Sequence, residues 1–565
     1  MDNKLYEHPL FTVRHELLSP EDRIRVTYER ARLVIQTWDL TPDEIGNCTR
    51  RFWLHQQDPM FALDPALANI VTCSINLFIG TLYPLLSKKP YLRPLVEKAR
   101  KAEILGNLFL SELGHGLDIL NLETTATKVS DGFILNTPTE SATKFMPPTL
   151  PVDGVPRWGI VMAKLIVDGD ERGVHPFLVQ TSDEFGMCPG VSNTCLPVRS
   201  GTMLDYSLTS FDNIRLPSTA FLGHSMDPPK DRRELLHGYI SRIPIGTSAI
   251  GMPAAVSVKL LATLAADYSL RRHVQGSLAT KVPIISFRTQ ALPVLYTTAI
   301  AHVLTAWMAH VVDFYVTERN ELGTRITLGT VFKTTSIRMA LHCCRNLGER
   351  LGAQSLFPQN MLGTMETDLR GISIAEGDIL ALCIRLFTEI LLGRHNDLPI
   401  PHQADTLLAK RYTAYVNSNT FLMSSFPAGH RDSRFNDLIL PQCEPAVRAL
   451  GHALAYSAAV DAGVAQPLLD LFEMACIKLD SGWYTEYAGI SEAVRMQKED
   501  RAASQALPNL KRYVDELGVR KWLPSPIITD SKWEKWLRDV KLDNRAFAGG
   551  LLRRSSRLEG MLARL

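Results

Sequence analysis

The sequence predicts an α+β protein in four successive parts: helices, a compact β unit, a helical bundle and a further helical region. Three observations predict it. Residues 1–107 carry apolar positions at helical spacing, as in YERARLVIQTW and LRPLVEKARKAEILGNLFL. Residues 108–225 change to short β-forming runs such as GFILNT, WGIVMAKLIV, HPFLVQ and YSLTSFDNIRLP, separated by Gly, Pro and Asp turns. Residues 235–395 return to long apolar helices, and residues 406–565 stay helical.

A chain of 565 residues exceeds what one core can hold and suggests about three or four units. Hydrophobic residues make up 45% and charged residues 21%, an ordinary globular balance. A net charge of +2 supplies no basic field for nucleic acid. Nine cysteines are scattered with no CxxC pair, which points to a reducing compartment, with neither a disulfide frame nor a metal site expected. The opening MDNKLYEHPLF has no apolar h-region, so no signal peptide is expected. NIVTCSINLFIGTLYPLL, residues 69–86, is long enough for a membrane span, yet Asn69, Thr72, Ser74, Asn76 and Pro84 favour a buried core helix. No membrane span is expected.

Each part follows from its local pattern. The first is helical. The second reads as roughly six to eight strands. AFLGHSMDPPKDRRE, 220–234, is a polar linker. Three long helical runs then span about 243–272, 291–318 and 327–352, and ILALCIRLFTEILL after Glu376 makes a fourth. RHNDLPIPHQAD, 394–405, reads as a break, and SSFPAGHRDSRFND, 424–437, as a loop in the last unit.

Chemistry must be held in an uncommon way. There is no GxGxxG after a strand, no GxxxxGK[ST], no HExxH and no GxSxG. In SELGHG, Ser111 to Gly116, a hydroxyl precedes two glycines that would let a ligand approach the backbone, although a helix cap and turn would explain the motif alone. GISIAEGDIL places Glu376 just ahead of an apolar helix. A lone carboxylate there could cap the helix or compensate its dipole. Asp378 is the better cap, at the threshold of a core face formed by Ile379, Leu382, Cys383, Leu386, Phe387 and Ile390. That leaves Glu376 free for chemistry.

Several segments together resemble the acyl-CoA dehydrogenase/oxidase superfamily, and in particular its peroxisomal acyl-CoA oxidase branch. They are SELGHG, NLETTATKVSDGFILNTPTESATKFM (121–146), RGVHPFLVQ (172–180), FDNIRLP (211–217), DYSLRR (267–272) and IAEGD (374–378). They recur in family order over about residues 25–395. The resemblance implies an N-terminal all-α domain, a small middle β-barrel, a helical bundle carrying the catalytic Glu, and an extra C-terminal helical domain. It implies FAD between the β unit and the bundle. Ser111, Leu113, Gly114, Gly116 and Met146 would meet FAD from the β side. Arg271, Arg272, Gly352 and Asp378 would meet it from the bundle side, with Arg271 or Arg272 on the pyrophosphate of a partner subunit. Guanidinium forks onto phosphate oxygens. A homodimer is implied, because FAD would be shared. Glu376 would take the α-proton of an acyl-CoA or related acyl thioester, a β-hydride would leave to the flavin, and O2 would be the acceptor, giving H2O2.

The sequence also departs from that family. GERLG, 348–352, stands where GGHG is usual, LPVRSGTM (196–203) replaces a glycine-bearing segment, and Met146-Pro147-Pro148 replaces a tryptophan. Leu117 follows SELGHG in place of a small polar residue. These changes favour a divergent member, with a tailoring enzyme for a specialised acyl thioester as the alternative and a non-catalytic scaffold as a third reading. Ala563-Arg564-Leu565 resembles a peroxisomal address, so a peroxisomal import receptor is an expected partner, with a cytoplasmic enzyme as the alternative.

Overall fold

The computed structural model describes residues 4–13, 18–276, 280–317, 322–394 and 405–543. The break expected at 394–405 lies almost wholly outside the described residues, as do RRSSRLEG and Ala563-Arg564-Leu565.

The N-terminal part is helical. Helix α1, Pro20–Trp38, starts where Ser19 Oγ accepts the Asp22 N–H, with Pro20 in the first turn. It buries Tyr28, Ala31, Val34, Ile35 and Trp38, one stripe at three- and four-residue spacing. Helix α2, Pro65–Thr72, is capped by Asp64 and runs on as a π-helical stretch, Cys73–Ile79. Ile70, Val71, Ile75, Phe78 and Ile79 from this uncharged segment enter the core. Pro65–Leu85, Arg242–Arg271 and Arg288–Thr317 are each long and apolar enough to cross a membrane by length and composition. Their apolar windows are 67%, 83% and 67% buried within the protein.

The first strand begins earlier than the sequence suggests. ILGNLFL fits helix or strand spacing, but the helix before it ends at Arg100 and Ala102 turns the chain with φ 55°. Strand β1, Leu105–Phe109, then packs on the π-helical stretch. Gly106 makes this possible: its N–H donates to Ser74 Oγ, and a Cβ there would meet the Phe78 ring at 2.1 Å.

The other strands of the β unit are β2 (Thr125–Val129), β3 (Gly132–Asn136), β4 (Lys144–Pro148), β5 (Arg157–Val167) and β6 (Asp170–Ser182), then β7 (Val191–Cys195), β8 (Tyr206–Phe211) and β9 (Ile214–Pro217). One sheet runs β1-β5-β2-β3-β9 with β6 on β5, and a smaller one runs β4-β8-β7. Strand β5 pairs in parallel with β1 through Arg157–Val161 and with β2 through Lys164–Ile166. The β core holds Phe109, Phe133, Phe177 and Phe211. A buried polar cluster ties the unit to α1: Tyr28 donates to Asp205 at 2.6 Å, and Arg157 donates to the Tyr28 hydroxyl at 2.7 Å.

The bundle consists of α3 (Arg242–Arg271), α4 (Arg288–Thr317), α5 (Leu322–Leu351), α6 (Leu362–Ile374) and α7 (Ile379–Leu391). Helix α3 is central and packs on α4 and α5. Helix α6 is an addition to the four helices read from the sequence. Its run LGTMETDLRGISI has two glycines and buries only Leu362, Met365, Asp368 and Leu369, a thin helical signal. Beyond it come α8 (Leu407–Ser424), α9 (Leu440–Asp461), α10 (Gln466–Leu479), α11 (Glu492–Ala506) and α12 (Asp530–Asp543). Helix α9 packs closely on α5: a Cβ at Gly451 would stand 1.9 Å from Thr335 Oγ1. The architecture is the α+β arrangement expected.

Candidate functional site

The loop between α6 and α7 is Ala375-Glu376-Gly377-Asp378. Glu376 has φ 54° and Gly377 φ 92°, so two successive left-handed residues reverse the chain between the helices. For a non-glycine residue this costs roughly 1–2 kcal/mol. Asp378 Oδ1 accepts the Ala381 N–H at 3.0 Å and caps α7. Glu376 is thereby left out of the cap.

The Glu376 carboxyl group rests on α3. A Cβ at Gly246 would lie 2.6 Å from its carboxyl carbon and 2.6 and 2.8 Å from its oxygens. Thr247 Oγ1 donates to the Glu376 carbonyl at 2.8 Å. Lys333, on α5, donates to the carbonyls of Ala375 at 2.6 Å and Gly377 at 2.5 Å. Burial pushes the Glu376 carboxyl up to about 8, opposed by the charges of Lys333 and Arg242. Such a group is a stronger base than an exposed glutamate and is mostly protonated at neutral pH.

Cys73 lies within electrostatic reach of this carboxyl group, and Tyr206 within reach of Cys73. Burial pushes the Cys73 thiol up to about 12, and the charge of Glu376 adds to that rise. Tyr206 is raised by burial, with smaller contributions that include Asp368 and Cys73. Arg199 lies over the Tyr206 ring at 5.3 Å and pairs with Asp368 of α6 at 2.9 Å. A cavity of about 190 Å³ adjoins α6, with Thr27, Thr202, Met361, Met365 and Asp368 in its walls.

Two motifs distant in sequence form one surface in the β unit. Leu113 N–H donates to the Thr143 carbonyl and Gly114 N–H to the Ser141 carbonyl, both at 2.8 Å. Phe145 N–H donates to the Ser111 carbonyl at 3.1 Å. Beneath them Lys144 and Glu112 make a fully buried ion pair at 2.9 Å. Glu112 also accepts the N–H groups of Glu123 and Thr124, so its charge is well satisfied. SELGHG follows β1, and β1 packs on the stretch that begins with Cys73.

This surface is apolar and open in the single chain. Leu113 is 45%, Leu117 69% and Met146 38% exposed. Met146 has φ 84° at an irregularity in β4. A Cβ at Gly116 would meet nothing within 4 Å. Ser111 Oγ has no partner among the described residues. An open apolar face with a free hydroxyl and a glycine backbone fits a flat aromatic ring system with a polar edge.

The two arginines separate. Arg271, at the end of α3, pairs with Asp530 at 2.6 Å and donates to the Ile527 carbonyl. Arg272 is exposed, and its side chain has no partner among the described residues. Of the two, Arg272 is the one available to an anionic group. Gly352 follows α5 with φ 59° and open space around it. Gly246, Thr247 and Lys333 were not singled out from the sequence. The usable signal was Lys333, a lone charge inside TLGTVFKTTSI.

No family model matches the chain. Peroxisomal acyl-coenzyme A oxidase 3 of Arabidopsis thaliana is 25% identical over 297 residues, 49% of this chain and 43% of that protein. The match thus spans less than half the length of that curated relative. Acyl-CoA oxidase 3 of Yarrowia lipolytica superposes with a TM-score of 0.78 at 19% identity, covering 99% of this chain and 90% of that one. Acyl-CoA oxidase-1 of Caenorhabditis elegans, solved with FAD and ATP, superposes at 0.74 and 18% identity, covering 100% and 93%. The fold is that of the acyl-CoA oxidases. Over about half its length the chain is similar in sequence to acyl-CoA oxidases, and it shares their fold.

Proposed function

We propose that this chain is an FAD-dependent acyl-CoA oxidase in which Glu376 is the catalytic base. The observation that carries the reading is the Glu376 carboxyl group, set on Gly246 and raised to about 8 by burial. The α-proton of an acyl thioester is weakly acidic, so a base must be matched to it and close to it. Glu376 would take that proton, and loss of a β-hydride would complete a trans-2-enoyl thioester. When bound, FAD supplies the hydride acceptor and the route to O2, with H2O2 as product. Ser111, Leu113, Gly114, Gly116 and Met146 would hold its ring from the β unit. Arg272 would hold its pyrophosphate, from a partner subunit of a homodimer, and Gly352 leaves room beside the bundle. Asp378, occupied as a cap, would serve the cofactor only by shaping the loop. The Arabidopsis relative's name includes the word peroxisomal, and the same compartment is proposed here.

One observation favours a second reading. Tyr206, Arg199 and Asp368 bring polar groups within electrostatic reach of Cys73, itself within reach of Glu376. A purely aliphatic acyl chain gains nothing from them, whereas an acyl group bearing a hydroxyl or carboxylate would. The enzyme would then be a tailoring flavoenzyme for a specialised acyl thioester, with the same first step.

The deciding experiment is flavin absorbance of the purified protein with aliphatic and polar acyl-CoA thioesters, first without air and then with it. Bleaching followed by return of the yellow band with peroxide supports the oxidase. Bleaching only by polar thioesters supports the second reading. A colourless protein overturns both.

A further inference from the structure

Lys333 is fully buried on α5. An ammonium taken out of water is costly unless donors and charge are satisfied. No carboxylate lies within ion-pair distance of it among the described residues. Its Nζ is instead spent on the carbonyls of Ala375 and Gly377, the two neighbours of Glu376. The carbonyl between them, that of Glu376, is taken by the Thr247 hydroxyl from α3. Three successive carbonyls of one loop therefore end on side-chain donors from two packed helices. The same loop holds the left-handed pair Glu376 and Gly377. Conformations of this kind persist where their surroundings over-determine them.

We propose that Lys333 is a positioning residue for Glu376: together with Thr247 it locks Ala375–Gly377 so that the carboxyl group is presented across Gly246 to the reacting thioester. The inference rests on Glu376 being the base. A compact head with three donors suits two carbonyls on either side of one residue. Its charge has a second effect. The charged groups that act on Glu376 are Lys333 from α5 and Arg242 from α3, and both favour the carboxylate. Cys73, from the π-helical stretch, faces it as a neutral thiol. Burial pushes Lys333 down to about 8, against Glu376 and Asp378 of the loop and Cys383 of α7, with Arg338 of its own helix adding to the fall; below that pH its charge is in place. Removing the Lys333 charge leaves burial less opposed, so protonated Glu376 persists to higher pH.

The test uses the full-length, flavin-loaded protein and the rate of flavin bleaching by an acyl-CoA without air, across the pH range. Lys333→Met is expected to bleach on the order of a hundredfold more slowly, the scale of a misplaced reacting group. Its acid limb should move to higher pH. Thr247→Val, which changes no charge, should slow bleaching and leave the limb in place. Should Lys333→Met not fold, Lys333→Gln carries the same limb test with a neutral donor retained. Lys333 variants with a wild-type rate and an unmoved limb overturn the proposal. So does lowered flavin content with a normal limb in the loaded fraction, since that describes a merely structural lysine. Glu376→Gln, run alongside, separates the two ideas: wild-type bleaching in that variant removes the base assignment itself. An inert Glu376→Gln beside an unaffected Lys333→Met removes only the role of Lys333.

Discussion

Gly246 and Glu376 occupy one another's space: the carboxyl oxygens of Glu376 lie 2.6 and 2.8 Å from where a Cβ on residue 246 would be. The glycine sits inside α3, where its lack of a side chain brings no benefit to the helix. Its use is the room it leaves for the carboxylate.

Gly246→Ala should therefore separate stability from catalysis. Helix propensity favours alanine by roughly 1 kcal/mol, so the melting temperature should hold. Bleaching of the flavin by substrate should slow by about one to two orders of magnitude, because the carboxylate is displaced from its place. A normal rate in Gly246→Ala would show that the contact is irrelevant to catalysis.

The pH dependence of kcat/KM should have an acid limb near the raised value of Glu376, about 8. The base acts when unprotonated, so the rate should climb roughly tenfold per pH unit below the limb and level off above it. A limb near the ordinary range of an exposed glutamate would contradict a buried base.

Stability should respond to the same group with the opposite sign. In the folded protein Glu376 binds its proton more tightly than it does in the unfolded chain. Its contribution is therefore complete below the ordinary glutamate value near 4.5 and is lost as pH rises towards about 8. Glu376→Gln, which carries no charge, should gain thermal stability over the wild type at alkaline pH and gain least in acid. Parallel melting curves at both extremes would refute this.

The Glu112–Lys144 pair predicts a larger structural effect. Both side chains are fully buried, and burial pushes Lys144 down to about 8. Lys144→Met leaves Glu112 charged and unpaired, with an expected loss of about 3–5 kcal/mol in denaturant unfolding. Glu112→Gln combined with Lys144→Met should recover part of that loss. Additive losses in the double variant would argue against coupling.

Arg271 and Arg272 should behave differently. Arg272→Ala should lower flavin content after purification, whereas Arg271→Ala should loosen the segment around Asp530, seen as faster proteolysis there. Equal flavin content in wild type and Arg272→Ala would remove Arg272 from the cofactor site.

Much of this was legible in the residues. GFILNT and WGIVMAKLIV are β-forming runs set off by turn residues, and they became β3 and β5. The apolar run after Asp378 became α7. Strand β1 was not legible, because ILGNLFL suits either period and the decision falls to Gly106 against Phe78. Helix α6 was not, because its glycines and thin apolar face weaken the pattern. At the site, IAEGD marked Glu376 and the cap at Asp378. Gly246 and Thr247 stayed silent because their roles are contacts across the fold, and the charge of Lys333 in an apolar run did not say what it meets. Thr247 meets Glu376 from 129 positions away, and no local period records such a meeting.

The left-handed backbone at Glu376 has an evolutionary consequence. That position combines an unfavourable dihedral for a side-chain-bearing residue with a carboxyl group taken out of water. Glycine would relieve the first and glutamine the second, each by a change of one residue. A lineage freed from turnover would drift toward such replacements, since they raise stability and break nothing else. Under the proposed function, the cost of a glutamate at 376 is carried for the sake of its carboxyl group.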